Sequence, residues 1–136
     1  MKKMAICASA SFDKEIIKYK EKFEKLGYEV VKYPTKIKGD FVSGYKEEFS
    51  DHYKKIPEAD AIIALNLEKK GIKGYIGAGV FAEIAFTVGL NRVFNKNIEV
   101  YYLNDLPDAL PYSDELGLWS KLGWIRKFID KVEGDW

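Results

Sequence analysis

The chain has 136 residues and is poor in the side chains that most often carry disulfide, redox or metal chemistry. Its one cysteine, Cys7, excludes an internal disulfide and argues against a cysteine-based metal site. Its one histidine, His52, leaves no zinc constellation in the sequence, and no metal or other cofactor is expected. An excess of one charge is missing too. Lys and Arg number 22 against 21 Asp and Glu, so no global field draws nucleic acid or an anionic membrane. No apolar run reaches about 18 residues without a charge or a glycine, so no segment is expected to span a bilayer. "MKKMAICASASF" begins basic, but its apolar run is short and Asp13 and Glu15 follow at once, unlike a signal peptide. The default location is the cytoplasm.

What is present suits one globular domain over residues 1–136: 47% hydrophobic and 32% charged residues. Aromatics are high at 15%, many of them Tyr, which serve a subunit interface as well as a stacking pocket. Met4–Ala10 reads as a buried strand opening into a loop. A helix follows, with Ser11 as its cap, Ile16, Ile17, Tyr19, Phe23 and Leu26 at helical spacing, and Gly27 as its stop. "YEVVKYP" is a strand ended by Pro34, and "TKIKGDFVSG" is a loop. "YKEEFSDHYKKI" is an amphipathic helix with Tyr45, Phe49, Tyr53 and Ile56 on one side and Pro57 at its end. "ADAIIALN" has the continuous apolar character of a strand covered on both faces. A loop with four glycines leads to the helix "VFAEIAFTVGLN", apolar almost all round and so expected to be buried. "NIEVYYLND" is the fourth clear strand. "LPDALPYSDELG" reads as a loop or turn, and "LWSKLGWIRKFIDKV" as a terminal helix carrying Trp119, Leu122, Trp124, Ile125, Phe128 and Ile129.

Strands alternating with helices over short connections call for an α/β fold with an open parallel sheet covered on both faces. Ligands of such sheets sit beyond the carboxyl ends of the strands, near the switch in strand order. The loops at that edge are Ala8–Ser11, Pro34–Gly44, Asn66–Gly79 and Asn104–Asp114.

One residue there is out of place. Between Lys73 and Arg92, Glu83 is the only charged side chain, and burying an unpaired carboxylate costs several kcal/mol or forces its pKa up. An acid in a first helical turn complements the helix dipole, but that explains exposed acids better than one flanked by Phe81, Ala82, Ile84, Ala85 and Phe86. A carboxylate kept ionised by the helix N-terminus and glycine amides in an apolar cleft is a usable nucleophile, or a stabiliser of a cationic, oxocarbenium-like sugar. "GAGVFA" from Gly77 to Ala82 imitates a dinucleotide fingerprint, yet about a dozen residues separate it from its strand and the ribose-binding acid is absent. No phosphate-binding P-loop occurs, and Asp13 stands where a C-x5-R phosphatase loop needs arginine, which leaves Cys7 as a small buried hydrophobe. His52 and the adjacent Asp51 lie late on the second helix, where a lone histidine is most often a surface or capping residue. Asn66 caps a turn or reaches a ligand from the end of its strand, and Ser9 and Ser11 are small donors at the same edge.

Together, "ICASAS", "YEVVKYP", "IPEADAIIALN" and, above all, "YIGAGVFAEIAF" resemble the nucleoside 2-deoxyribosyltransferase family and its relatives, the 2'-deoxynucleoside 5'-phosphate N-hydrolases. The resemblance runs through most of the chain. It implies a flavodoxin-like three-layer sandwich with a parallel sheet of four to five strands, no cofactor, and a nucleoside or nucleotide ligand. Glu83 would attack the anomeric carbon and hold the deoxyribosyl group until water or a second base releases it. The family's base-contacting aspartate falls at His52 here, with Asp51 beside it, and a histidine with a pKa near 6.5 suits general acid work at neutral pH. The tyrosine of the family's first strand is replaced near Ala5, which leaves Tyr75 or a later Tyr for its role. The arginine that holds a 5'-phosphate is absent. Ala8, Ser9, Ser11, Asn66, Gly77 and Gly79 remain as substrate-binding positions, with Lys69, Lys70 or Lys73 as substitute cations. The resemblance also implies a homodimer or larger homo-oligomer in which a neighbour's loop, here "DALPYSDELGLW" through Tyr112 or Ser113, closes the pocket. A nucleotide-binding module of the same fold without catalysis is the alternative, with His52 in place of the acid as its mark.

Overall fold

The computed structural model describes residues 1–129. Five strands form one parallel sheet: β1 (Lys2–Cys7), β2 (Tyr28–Lys32), β3 (Ala61–Ala64), β4 (Glu99–Tyr102) and β5 (Arg126–Lys127), in the order β2-β1-β3-β4-β5. Four α-helices alternate with them: α1 (Asp13–Lys25), α2 (Phe41–Lys55), α3 (Ala78–Phe94) and α4 (Ser113–Lys121). The protein has a flavodoxin-like α/β fold: the alternation calls for its open parallel sheet, and the resemblance implies the flavodoxin-like arrangement. The strand period of two sorts the core into two layers. Ala5, Cys7, Ile62, Ala64 and Val100 pack beneath Ile84 and Val88 of α3 and Leu116 of α4, while Met4, Ile6, Ile63, Leu65 and Tyr101 pack against Ile16 and Phe23 of α1. All four residues of β3 are buried, as its unbroken apolar run requires. Among the described residues no helix is long and apolar enough to cross a membrane.

Several expected boundaries move, each for a local reason. Ser9, not Ser11, is a cap: its hydroxyl accepts from the Ser11 amide at 3.4 Å at the start of a 3-10 turn, and α1 follows from Asp13. Helix α2 begins four residues before Tyr45, because the Asp40 carboxylate accepts from the Ser43 amide at 2.9 Å and caps it. Helix α3 begins at Ala78, which puts Glu83 in its second turn and not its first. It is buried along one stripe (Ile84, Thr87, Val88), whereas Val93 and Phe94 near its end are exposed. The expected terminal helix does not form. Helix α4 starts earlier, at Ser113, and Gly123 at φ +75° ends the turn after it. Arg126–Lys127 then pairs with Tyr101 and Tyr102 as the fifth strand, between Ile125, which packs in one core layer, and Phe128, which packs in the other. The remainder of that expected helix, from residue 130 on, lies outside the described residues.

Candidate functional site

Strands β1 and β3 are neighbours, but the chain leaves β1 towards β2 and leaves β3 towards β4. The crevice between their carboxyl ends is the switch point at which such sheets bind ligands. A cavity of about 230 Å3 lies there, lined by Ala8 and Ser9 after β1, Asn66 after β3, Lys69 and Tyr75 of the following loop, and Gly77, Gly79 and Glu83 around the start of α3. The Lys69 ammonium donates to Ser9 Oγ at 2.8 Å, and Ser9 Oγ lies 2.8 Å from Ser11 Oγ. A cation and two hydroxyls are thus gathered on one wall. The loop that carries Lys69 is held by a two-way backbone pair between Lys69 and Ile72 and by the Tyr75 amide donating to the Leu67 carbonyl.

Asn66 is expected to cap a turn or reach a ligand; the structure gives it a tying role across the sheet end. Its side-chain oxygen accepts from the amides of Leu103 and Asn104, both at 2.9 Å. Its side-chain nitrogen donates to the carbonyls of Asn104 at 2.8 Å and Gly74 at 3.3 Å. It therefore holds β3, the end of β4 and the cavity loop together. Gly74 sits at φ +68°, where a Cβ would run into the Asp105 carbonyl, so only glycine fits this close approach. Asn66→Ala strands two amides without their acceptor, and we expect it to cost about 2 kcal/mol of stability. Urea unfolding reads this directly, and an unchanged midpoint would remove the tying role.

Behind the crevice, Cys7 of β1, His52 of α2 and Glu83 of α3 converge. Cys7 Sγ is 3.5 Å from His52 Nε2, and the same Nε2 is 3.6 Å from Glu83 Oε2. Cys7 and His52 are fully buried, and the Glu83 side chain keeps 16% exposure. Burial drives the electrostatics. It pushes the Glu83 carboxyl up to about 7, helped by the Glu48 charge and opposed by a hydrogen bond from Cys7. It pushes His52 down to about 4, with Lys32 adding to the effect. It also pushes the Cys7 thiol well above its ordinary value. The His52–Glu83 approach is therefore a contact between a neutral imidazole and a carboxyl, not an ion pair, at any pH between those two values. Two expectations fall here. The dipole of α3 does not keep Glu83 ionised at low pH, because the carboxyl lies beyond the first turn and desolvation wins. His52 does not carry the proton that a general acid needs at pH 7.

A second cavity, about 350 Å3 and more apolar, opens on the other side of Glu83. Tyr45, Glu48, Phe49, His52 and Tyr53 of α2 line it with Gly79, Ala82 and Glu83 of α3. The rings form a ladder at i, i+4 spacing: Tyr45–Phe49 centroids are 5.9 Å apart, and Phe49–Tyr53 stack at 4.1 Å. Burial, with the nearby Glu83 charge, pushes Tyr53 up to about 12. Glu48 is held from behind by Lys32 at 2.7 Å.

The structure thus brings Glu83, Ala8, Ser9, Asn66, Gly77 and Gly79 to one cavity, with Ser11 one hydrogen bond behind Ser9 and His52 against Glu83 on the second cavity. It does not bring Asp51, whose carboxylate turns away to pair with Lys32 at 2.8 Å and is half exposed. A helix turns about 100° per residue, so adjacent side chains cannot share one face. Nor does it bring Tyr112 and Ser113 of the same chain to the two cavities. The Tyr112 hydroxyl donates to the Ile76 carbonyl at 2.6 Å, its ring stacks on Phe81, and Ser113 Oγ accepts from the Leu110 amide. Both fasten the start of α4 to the rest of the chain. Sequence reasoning missed Glu48, Phe12 and the aromatic wall as cavity residues. The i, i+4 step from Glu48 to His52 was the signal for the first. Cys7, read as an isolated hydrophobe, is buried as expected but has the two polar neighbours that also make it a possible metal donor. No protein-family model matches the chain, and no curated protein matches it.

Proposed function

We propose that this protein cleaves or exchanges the N-glycosidic bond of a deoxynucleoside or its 5'-monophosphate, with Glu83 as the nucleophile. The observation that carries the reading is the position of Glu83 as the carboxylate shared by two cavities of opposite character. The Lys69–Ser9 wall suits the sugar and a 5'-phosphate, and the aromatic wall of α2 suits a base. The scissile bond then lies over Glu83. The ionised carboxylate attacks the anomeric carbon as the base departs with the bonding pair, and water or a second base completes the turnover. A carboxyl of pKa about 7 is half ionised at neutral pH and, once ionised, more basic than an ordinary glutamate. The protein is expected to self-associate, a part of the reading supported by the exposed Phe41, Val42 and Phe49 of α2. A monomer in sedimentation velocity would remove that part alone.

The test is chromatography of free base after incubation with a panel of deoxynucleosides and deoxynucleoside 5'-monophosphates. Release of base from at least one is expected. Lys69→Met should raise KM for a monophosphate about tenfold, the loss of one charge-assisted contact, and leave a nucleoside unaffected. No release from any substrate, with tight binding of an unchanged nucleotide by calorimetry, would make the protein a binding module. Neither release nor binding would end the nucleotide reading.

A further inference from the structure

Cys7, His52 and Glu83 come from three separate elements and are far apart in the chain, yet their donor atoms all lie within 4.8 Å of one another. The arrangement is not a relay. In a relay the thiol and the carboxyl would use different nitrogens of the ring. Here both approach the same Nε2, at 3.5 and 3.6 Å. One ring nitrogen has a single proton or a single lone pair to offer, so it cannot serve both neighbours at once; the thiol's hydrogen bond goes to Glu83, and Nε2 is left between a sulfur and an oxygen with no short partner of its own. The 3.6 Å separation is also long for an N···O hydrogen bond.

These separations fit a different object. With Zn–S of about 2.3 Å and Zn–N of about 2.0 Å, a tetrahedral angle puts sulfur and nitrogen about 3.5 Å apart. With Zn–N and Zn–O at the long ends of their ranges, about 2.1 and 2.2 Å, the same angle puts nitrogen and oxygen about 3.5 Å apart, close to the observed spacing. Two of the three donor separations thus match edges of a coordination tetrahedron, and the third lies within 4.8 Å. We propose that Cys7, His52 and Glu83 form a binding site for a divalent ion of borderline softness, Zn2+ or Co2+.

The donor set decides the class of ion. A thiolate and an imidazole disfavour Mg2+ and Ca2+, which take oxygen ligands. Three protein ligands leave a fourth position open. Cys7 closes the inner side, while His52 and Glu83 line the second cavity, so the open position faces that cavity. The chemistry of loading balances without a redox partner: the Cys7 thiol and any protonated Glu83 carboxyl release their protons to solvent, and the ion takes sulfur, nitrogen and oxygen as ligands. The site stands independently of the proposed glycosidic activity but bears on it. A metal-bound Glu83 has no free carboxylate for attack, so the loaded form would release no base.

The test is titration of Co2+ into the full chain after treatment with a chelator and its removal. One equivalent should bind, with a sulfur-to-cobalt band in the near ultraviolet and the intense visible bands of tetrahedral Co2+, and Zn2+ should displace it. Cys7→Ser should abolish the near-ultraviolet band. Cys7→Ser and Glu83→Gln should each weaken binding by more than about tenfold, the loss that removing even an outer-shell partner brings. Circular dichroism establishes that each variant is folded, and either folded variant alone suffices for the comparison. Absence of binding up to about millimolar Co2+, or binding that both variants leave intact, overturns the site. None of these readouts requires turnover, so a protein that binds Co2+ but releases no base, or the reverse, separates the two ideas.

Discussion

Glu83→Gln is expected to lower base release at least about a thousandfold while leaving the substrate's binding nearly unchanged. Glutamine keeps the shape and the hydrogen-bonding edge of the side chain, and both cavity walls stay as they are. What it lacks is the negative oxygen that must form the bond to the anomeric carbon, and the two cavities offer no obvious substitute. Asp51 points away to Lys32, and Glu48, although it lines the second cavity, is held by the same lysine. The loss should therefore appear in kcat and not in KM. Chelator-treated wild type should in addition show activity that rises with pH and levels above about 7, where the Glu83 carboxyl is ionised. Retention of a tenth or more of wild-type turnover by Glu83→Gln would sink the nucleophile assignment, whatever the panel of substrates shows.

Glu83 was legible in the sequence because a lone charge in a long apolar stretch is a physical anomaly that needs no fold to be noticed. The parallel sheet was legible for a similar reason, since runs such as "ADAIIALN" are too apolar for any strand with a wet face. The surroundings of Glu83 were not. His52 sits 45 residues from Cys7 in sequence, and nothing local in "SDHYKK" announces that α2 presents that ring to the core. Only the contact of His52 with Cys7 of β1 decides it, and the burial that comes with that contact also inverts the expected chemistry, since it removes the His52 proton at neutral pH. Asp51 was misplaced for the opposite reason, because adjacency in sequence was read as adjacency in space. That a fifth strand forms where a terminal helix is expected follows from Gly123. Its left-handed backbone breaks a pattern that, judged by the spacing of Trp119, Leu122, Trp124, Ile125 and Phe128 alone, runs on as helix.

Glu83→Gln should also stabilise the protein, by about 3 kcal/mol at pH 8, and this gain should vanish near pH 4.5. The carboxyl's ordinary value is 4.5 and burial raises it to about 7 in the folded chain. Below pH 4.5 both folded and unfolded chains hold the proton, and the residue costs nothing. Between 4.5 and 7 only the folded chain still holds it, so stability falls as pH rises. Above 7 the folded chain carries the buried charge and the full cost of about 2.5 pH units is present. Glutamine never ionises and escapes this. His52 adds a slope of the opposite sense, because its folded value of about 4 lies below the ordinary 6.5 and the folded chain loses stability as pH drops through that window. That slope is common to both proteins and largely cancels in their difference. Urea unfolding midpoints at pH 4.5, 6 and 8, in the presence of a chelator, give the difference at each pH. A residue that served only the packing of α3 would leave it flat, and a flat difference would mean that Glu83 is not held against its own preference. A difference that grows with pH, in a variant that has lost turnover, is the signature of a carboxylate retained for chemistry at the expense of the fold.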